Sequence, residues 1–263
     1  MEKFDKKNQY NCHSELVSES IKKQTLNQVQ GDRQGFTLSE VLITLGIVGV
    51  VAVLTIPGVM KNYQNRIYTA QLQKTYALIA DATQAIMNDE HTDNFYETTA
   101  VGLTSCVNKA TGDCQTGVGY FFTKYFKSIK KDCARADFKG CFTTADNKYQ
   151  TMSGNSISGA YCPYSIQTPN GAAICGVYNT ANNCMSLTVD VNGMSEPNVA
   201  GRDIFSMDIH KNGSISDYAS GCADNNAGAS AAECGQDDGS SGINSAAKGC
   251  LTSVVEAGWK MEY

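Results

Sequence analysis

Histidine is scarce in this chain, with only His13, His91 and His210. There is no G-x-S-x-G, no H-E-x-x-H and no phosphate-binding glycine loop, so the common hydrolase, zinc-peptidase and nucleotide-binding chemistries have no residues to run on. The chain reads as a non-enzyme. Close cysteine pairs of the C-x₂₋₄-C type are missing too. The nearest cysteines are eight apart (Cys106/Cys114 and Cys133/Cys141), which argues against structural zinc. A basic excess is absent, and the net charge of −5 makes a nucleic-acid partner an unlikely one. No internal repeat is evident. Wholesale disorder is excluded by 42% hydrophobic and only 18% charged residues.

Charge is almost absent from Phe36 to Ile56, where Glu40 is the one ionisable side chain. As a helix these 21 residues would rise about 31 Å, the hydrocarbon thickness of a bilayer. A secretory signal has a shorter apolar core and an A-x-A-like cleavage site. This run ends instead in Thr55-Ile56-Pro57-Gly58. A single membrane span is therefore expected. The preceding residues 1–35 are polar and nearly neutral, with six basic and five acidic side chains, and Arg33 alone is basic near their end. A carboxylate at the centre of a bilayer helix costs about 2.5–3.5 kcal/mol on the lenient insertion scale. Glu40 therefore needs either an interfacial position or a partner.

After the span come ten cysteines: Cys106, Cys114, Cys133, Cys141, Cys162, Cys175, Cys184, Cys222, Cys234 and Cys250. An even set in Gly-rich sequence reads as disulfides formed in an oxidising compartment, up to five of them. The short-range pairs Cys106–Cys114 and Cys133–Cys141 are expected.

The stretch "GFTLSEVLITLGIV", with Gly35, Phe36 and Glu40 in these places and Pro57 further on, resembles the precursors of type IV pilins and type II secretion pseudopilins. The resemblance covers residues 35 to about 65. It implies cleavage between Gly35 and Phe36 by a prepilin peptidase and N-methylation of Phe36. It further implies an assembly or register role for Glu40, which pairs with a Phe36 amine in a bundle of helices. Stranding one member of such a buried pair costs about 3–5 kcal/mol. The implied partners are other pilin or pseudopilin subunits, the peptidase, an inner-membrane assembly platform and the membrane. The implied location is the inner membrane for the precursor, with the C-terminal domain outside the cytoplasm, and then a periplasmic or extracellular fibre.

The expected fold is α+β and pilin-like. A long N-terminal spine helix has its C-terminal half packed on a small antiparallel sheet, with disulfide staples. Residues 1–35 form a cytoplasmic leader, 36–57 the membrane and assembly half of the helix, and 58–263 the globular domain. Pro57, without an N–H, and Gly58 should kink or locally melt the helix. Met60, Tyr63, Ile67, Leu72, Tyr76, Ile79 and Ile86 recur near helical spacing, up to about residue 90. In the long connection 91–160, Val118–Cys133 should form a short helix. Its expected buried side is Phe122, Tyr125, Phe126 and Ile129, with Phe121 at the edge. The opposite side is basic and reads as a solvated face. Half-buried strands are expected at 172–178, 184–191 and 203–215, within a sheet spanning 170–216. A short helix and a final strand around Trp259 should close the chain, after a Gly/Ser-rich segment stapled by cysteines.

No cofactor is required. Asp190, Asn192 and Asp203 could offer oxygens to calcium, but EF-hand spacing is absent, and Asx-type turn bonding explains the same residues. A second functional reading sets a rare minor pilin, a tip adhesin or DNA-contacting module, on the same anchor.

Overall fold

A computed structural model describes residues 35–108, 111–131, 133, 141–142, 149–157, 163–180, 184–219, 228–236 and 242–263. The leader before Gly35, together with Cys162 and Cys222, lies outside the described residues. The chain divides into two units, Met1–Val51 and Ala52–Tyr263, and helix α1 (Leu38–Asp89) contributes to both.

In the first unit the described residues are helical from Leu38. Val41, Leu42, Ile43, Leu45, Ile47, Val48, Val50 and Val51 are all exposed. This helix is long and apolar enough to cross a membrane, and no residue of its most apolar 18-residue window is buried.

In the second unit α1 runs through Pro57 and Gly58 as continuous helix, so of the kink or local melting expected there the melting is not found. Its buried stripe is Tyr68, Leu72, Thr75, Ile79, Ala82, Thr83 and Ile86. The expected stripe began too early, for Met60, Tyr63 and Ile67 are exposed. Threonine serves inside this stripe because each hydroxyl bonds back along its own helix, Thr75 to the Gln71 carbonyl and Thr83 to that of Ile79.

After α1 the long connection carries its own small elements. A hairpin of β1 (Ser105–Asn108) and β2 (Asp113–Thr116) leads into α2 (Gly117–Tyr125). Helix α2 is shorter than expected. Phe121 and Phe122 are fully buried, but Ile129 is 63% exposed because the chain has already left the helix for β3 (Lys130–Lys131). A two-residue pair follows, β4 (Tyr149–Gln150) with β5 (Ser156–Ile157). Then come β6 (Tyr164–Gln167), β7 (Ala173–Asn179), β8 (Cys184–Asp190), β9 (Ile204–Ile209) and β10 (Ile215–Asp217). These build one antiparallel sheet in the order β10-β9-β8-β7-β6-β3. The chain finishes with α3 (Ile243–Ala246) and α4 (Cys250–Glu256). Beyond α4 the described residues form no strand, so the expected closing strand is absent. Trp259 instead sets its ring edge-on to Tyr76 of α1, centroids 5.5 Å apart.

Strand alternation explains the core. Leu187 pairs with Met207, Met185 with Ile209 and Val189 with Phe205, giving one apolar face that joins Leu72, Ile79 and Ile86 of α1 in a single cluster. Gly176 lets α2 reach the same face, since a Cβ there would overlap Val118 and come within 3.0 Å of the Phe122 ring. The strands were expected to be half-buried, but β8 and β9 are buried along their whole lengths. The second face carries Ser186, Thr188, Ser206 and Asp208, and α3 contributes to a second cluster that includes Ala173, Cys175 and Ile204. Asn244 of α3 accepts from both Thr188 (2.5 Å) and Ser206 (3.0 Å) through Oδ1. This polar cover, drawn from a remote part of the chain, is what the period-two pattern could not reveal.

Cys106 is bonded to Cys114, Cys133 to Cys141 and Cys234 to Cys250. Cys175 and Cys184 are also in disulfides. The first two pairs are the short-range ones named above.

Candidate processing and assembly site

Gly35 and Phe36 precede α1 in non-helical backbone. Among the described residues, chain neighbours apart, nothing lies within 4 Å of where a Gly35 side chain would start, and Phe36 is 86% exposed. Thr37 is the residue before the helix, and Glu40 stands three further on. The Thr37 N–H donates to Glu40 Oε2 at 2.8 Å, and the Glu40 N–H donates to Thr37 Oγ1 at 3.2 Å. The Thr37 hydroxyl adds a bond to the same Oε2 at 2.9 Å. This is a reciprocal capping box, which satisfies backbone donors that the first helical turn leaves without partners.

The sequence reading missed this role, although Thr-Leu-Ser-Glu spells it out. Glu40 has a partner before any cut is made. The cap depends on the amide of Thr37, not that of Phe36, so cleavage after Gly35 would leave it intact. The carboxylate is then held within one residue of the nitrogen that such a cut would free.

The candidate calcium residues fall together in the second unit. Asp190 closes β8, Asp203 precedes β9, and the intervening loop folds between them. Both are fully buried. Asp203 accepts from the backbone N–H of Asn198 (2.8 Å) and of Val199 (2.7 Å), so its first task is to shape the loop. Asp190 Oδ1 accepts from the Asn192 N–H at 3.2 Å. Its Oδ2 has no partner, and neither do Asn192 Oδ1 and Asn198 Oδ1. Burial, and then the charge of Asp203, push the Asp190 carboxyl well above the usual carboxylate range; burial also raises Asp203. Asn198 was not foreseen, and only its place in a Pro-Asn turn could have suggested it. Among the described residues no group of three or more His, Cys, Asp or Glu could hold a metal.

Two other carboxylates are buried in the sheet region. Asp208 accepts from Ser186 Oγ at 2.6 Å, and burial raises it to about 6. Asp217 accepts from the N–H groups of Gly249 (2.8 Å) and Thr252 (2.9 Å) at the start of α4, and burial raises it to about 7. The basic face expected near α2 is partly neutralised. Lys124 Nζ lies 4.0 Å from Asp89 Oδ2 and 5.1 Å from each ring centroid of Tyr120 and Tyr125.

The comparisons with known proteins agree with this arrangement. The family described as the prokaryotic N-terminal methylation motif matches residues 31–56. Type II secretion system core protein G of Aeromonas hydrophila is 35% identical over 79 residues, which is 30% of this chain and 52% of that protein. The match thus spans about half the length of that relative. No solved structure matches. The likeness is thus confined to the N-terminal methylation motif at residues 31–56 and to 79 residues similar to a type II secretion system core protein.

Proposed function

We propose that the chain is the precursor of a structural subunit, cut between Gly35 and Phe36 by a prepilin peptidase and N-methylated at Phe36. It then assembles through its N-terminal helix into a type IV pilus or a type II secretion pseudopilus. Before assembly the same helix anchors it in the inner membrane, with residues 58–263 outside the cytoplasm and its partners the assembly platform and other subunits. The observation that carries this reading is the exposed apolar stretch of α1 from Leu38 to Val51, whose one carboxylate, Glu40, is capped beside the Gly35-Phe36 junction. Exposed side chains of that density need hydrocarbon or neighbouring helices around them. Intact-mass analysis of sheared fibres tests it: the chain should begin at Phe36 and carry one extra methyl group. A chain in fibres that still holds residues 1–35 refutes the reading.

The display reading, a rare subunit at a fibre tip, draws on the β1–β2 hairpin. Its Cys106–Cys114 bond holds out Val107, which is 78% exposed, beside an 80% exposed Leu103. Its abundance relative to the shaft protein in purified fibres decides between the two. The Asp190–Asp203 loop favours a bound cation as a structural aid. Its buried oxygens without partners and its paired carboxylates suit calcium, which takes oxygen ligands and offsets their repulsion. Calcium should raise the unfolding midpoint of the folded chain, chelation should lower it, and Asp190→Asn should remove the response.

A further inference from the structure

Beyond this reading, the second unit carries a cationic cavity of about 320 Å³, lined by Lys61, Asn65, Gln150, Arg202, Met152 and Met261 among others. No carboxylate side chain among the described residues lines it. An adjoining groove that shares Asn65 and Met261 has Arg66 and Lys260, but also Glu262, and so holds its own counter-charge. Arg202 is fixed in the first cavity by one bond, Nη2 to Gln64 Oε1 at 3.0 Å, while its buried Nε has no partner. The cavity also has a defined place along α1. Val53, Leu54, Ile56, Val59 and Met60 are exposed immediately before Lys61. Five helical residues from Ile56 to Lys61 rise about 7.5 Å, roughly the depth of one headgroup layer.

We propose that this cavity binds a phosphate ester, supplied by the headgroup of an anionic phospholipid. A planar guanidinium and an ammonium line the same cavity, and together they are a donor set suited to phosphate oxygens. The amides of Asn65 and Gln150 add neutral donors, and Met152 and Met261 give the glycerol an apolar wall. The lipid source rests on the membrane-anchor reading above; the phosphate chemistry does not. The site is filled in the membrane-resident subunit and vacated on extraction into a fibre.

The full chain is reconstituted into nanodiscs of phosphatidylcholine alone or of equal parts phosphatidylcholine and phosphatidylglycerol. Unfolding is followed through the single tryptophan, Trp259. Phosphatidylglycerol should raise the midpoint by about 5 °C. Lys61→Gln, on an exposed side chain that the fold does not need, should remove part of that gain, and Lys61→Gln with Arg202→Gln all of it. Lys127→Gln with Lys131→Gln, placed elsewhere, should keep it. No gain, or a gain that survives both cavity variants, overturns the proposal. In neutral detergent, glycerol phosphate should stabilise the chain and lose that effect in the cavity variants. If inorganic phosphate alone matches the lipid, the headgroup source is wrong. Carbonate extraction from liposomes reports separately on the anchor. A chain that extracts yet still answers to glycerol phosphate through Lys61 and Arg202 refutes anchoring and supports the site.

Discussion

Helix α1 holds two regions with the same backbone and opposite surroundings. From residue 38 to 51 the apolar side chains point outward all round, with valine, leucine and isoleucine exposed on every face. From residue 68 to 87 burial follows one stripe, with Gln, Lys and Asp on the other faces. The first pattern suits a solvent that is itself apolar, and the second suits water on one side and a sheet on the other. The difference teaches that an apolar residue in α1 stabilises different things in the two stretches. In the anchor proposed above it would tune insertion and helix-helix assembly, and in the other stretch it holds a globular fold.

The largest expected effect breaks that comparison directly. Ile79→Ala empties a fully buried site against the sheet and should lower stability by about 2–5 kcal/mol, read from the urea midpoint of the folded chain. Val48→Ala, on an exposed position, should leave that midpoint unchanged. Equal losses would mean that the two stretches share one core.

Next is the Cys234–Cys250 bond, which closes a separation of 16 residues near α4. Replacing both cysteines by serine should destabilise the globular unit by about 3 kcal/mol, since the unfolded chain regains the entropy of the open loop. The measurement is thermal unfolding under non-reducing conditions, and no change would make the staple redundant.

A third expectation concerns pH. Asp208 and Asp217 have folded-state values raised to about 6 and about 7, against ordinary values near 3.8. The folded form therefore holds their protons more tightly than the unfolded one. Their contribution to stability is fully present at low pH and is lost as pH rises through the folded values. Buried His210, shifted down, pulls the other way below about 6.5, so the informative quantity is a difference. Asp217→Asn should flatten the decline between pH 5 and pH 8 by about 2 kcal/mol or more. An unchanged slope would show that Asp217 titrates normally.

The smallest effect separates the two duties of Glu40. Glu40→Gln keeps a side chain able to complete the capping box but removes the charge, whereas Thr37→Ala weakens the cap, by about 1 kcal/mol, and keeps the charge. Gln should be cut by the peptidase yet incorporate poorly into sheared fibres, and Thr37→Ala should incorporate nearly as the parent does. If the two variants incorporate alike, capping and not charge is what assembly requires.

The N-terminal motif was legible in the sequence apart from its Thr37–Glu40 cap, because it depends on local spacing: Gly35, Phe36 and Glu40 need no tertiary context to be found. The positions of β7, β8 and β9 were legible for the same reason, since Leu187/Val189 and Phe205/Met207/Ile209 alternate in plain view, whereas β3 and β6 of the same sheet fall outside the 170–216 span expected for it. What escaped depended on distant partners. The second face of β8 and β9 is buried because Asn244 and α3 return from some fifty residues downstream. Ile129 looked like a core residue only while α2 was thought to reach it. The Asp190 and Asp203 cluster was half legible, with its residues named but the backbone bonds that occupy Asp203 supplied by the loop's own shape.

The sheet has a consequence for what the molecule must not do. Its outermost members are β10, three residues long, and β3, two residues long. Long unpaired strand edges are templates for uncontrolled self-association, and such short ones offer little to extend. If the chain is the fibre subunit proposed above, it would form an ordered polymer only with every wrong route to stacking closed, and these short edges would leave stacking to the helices.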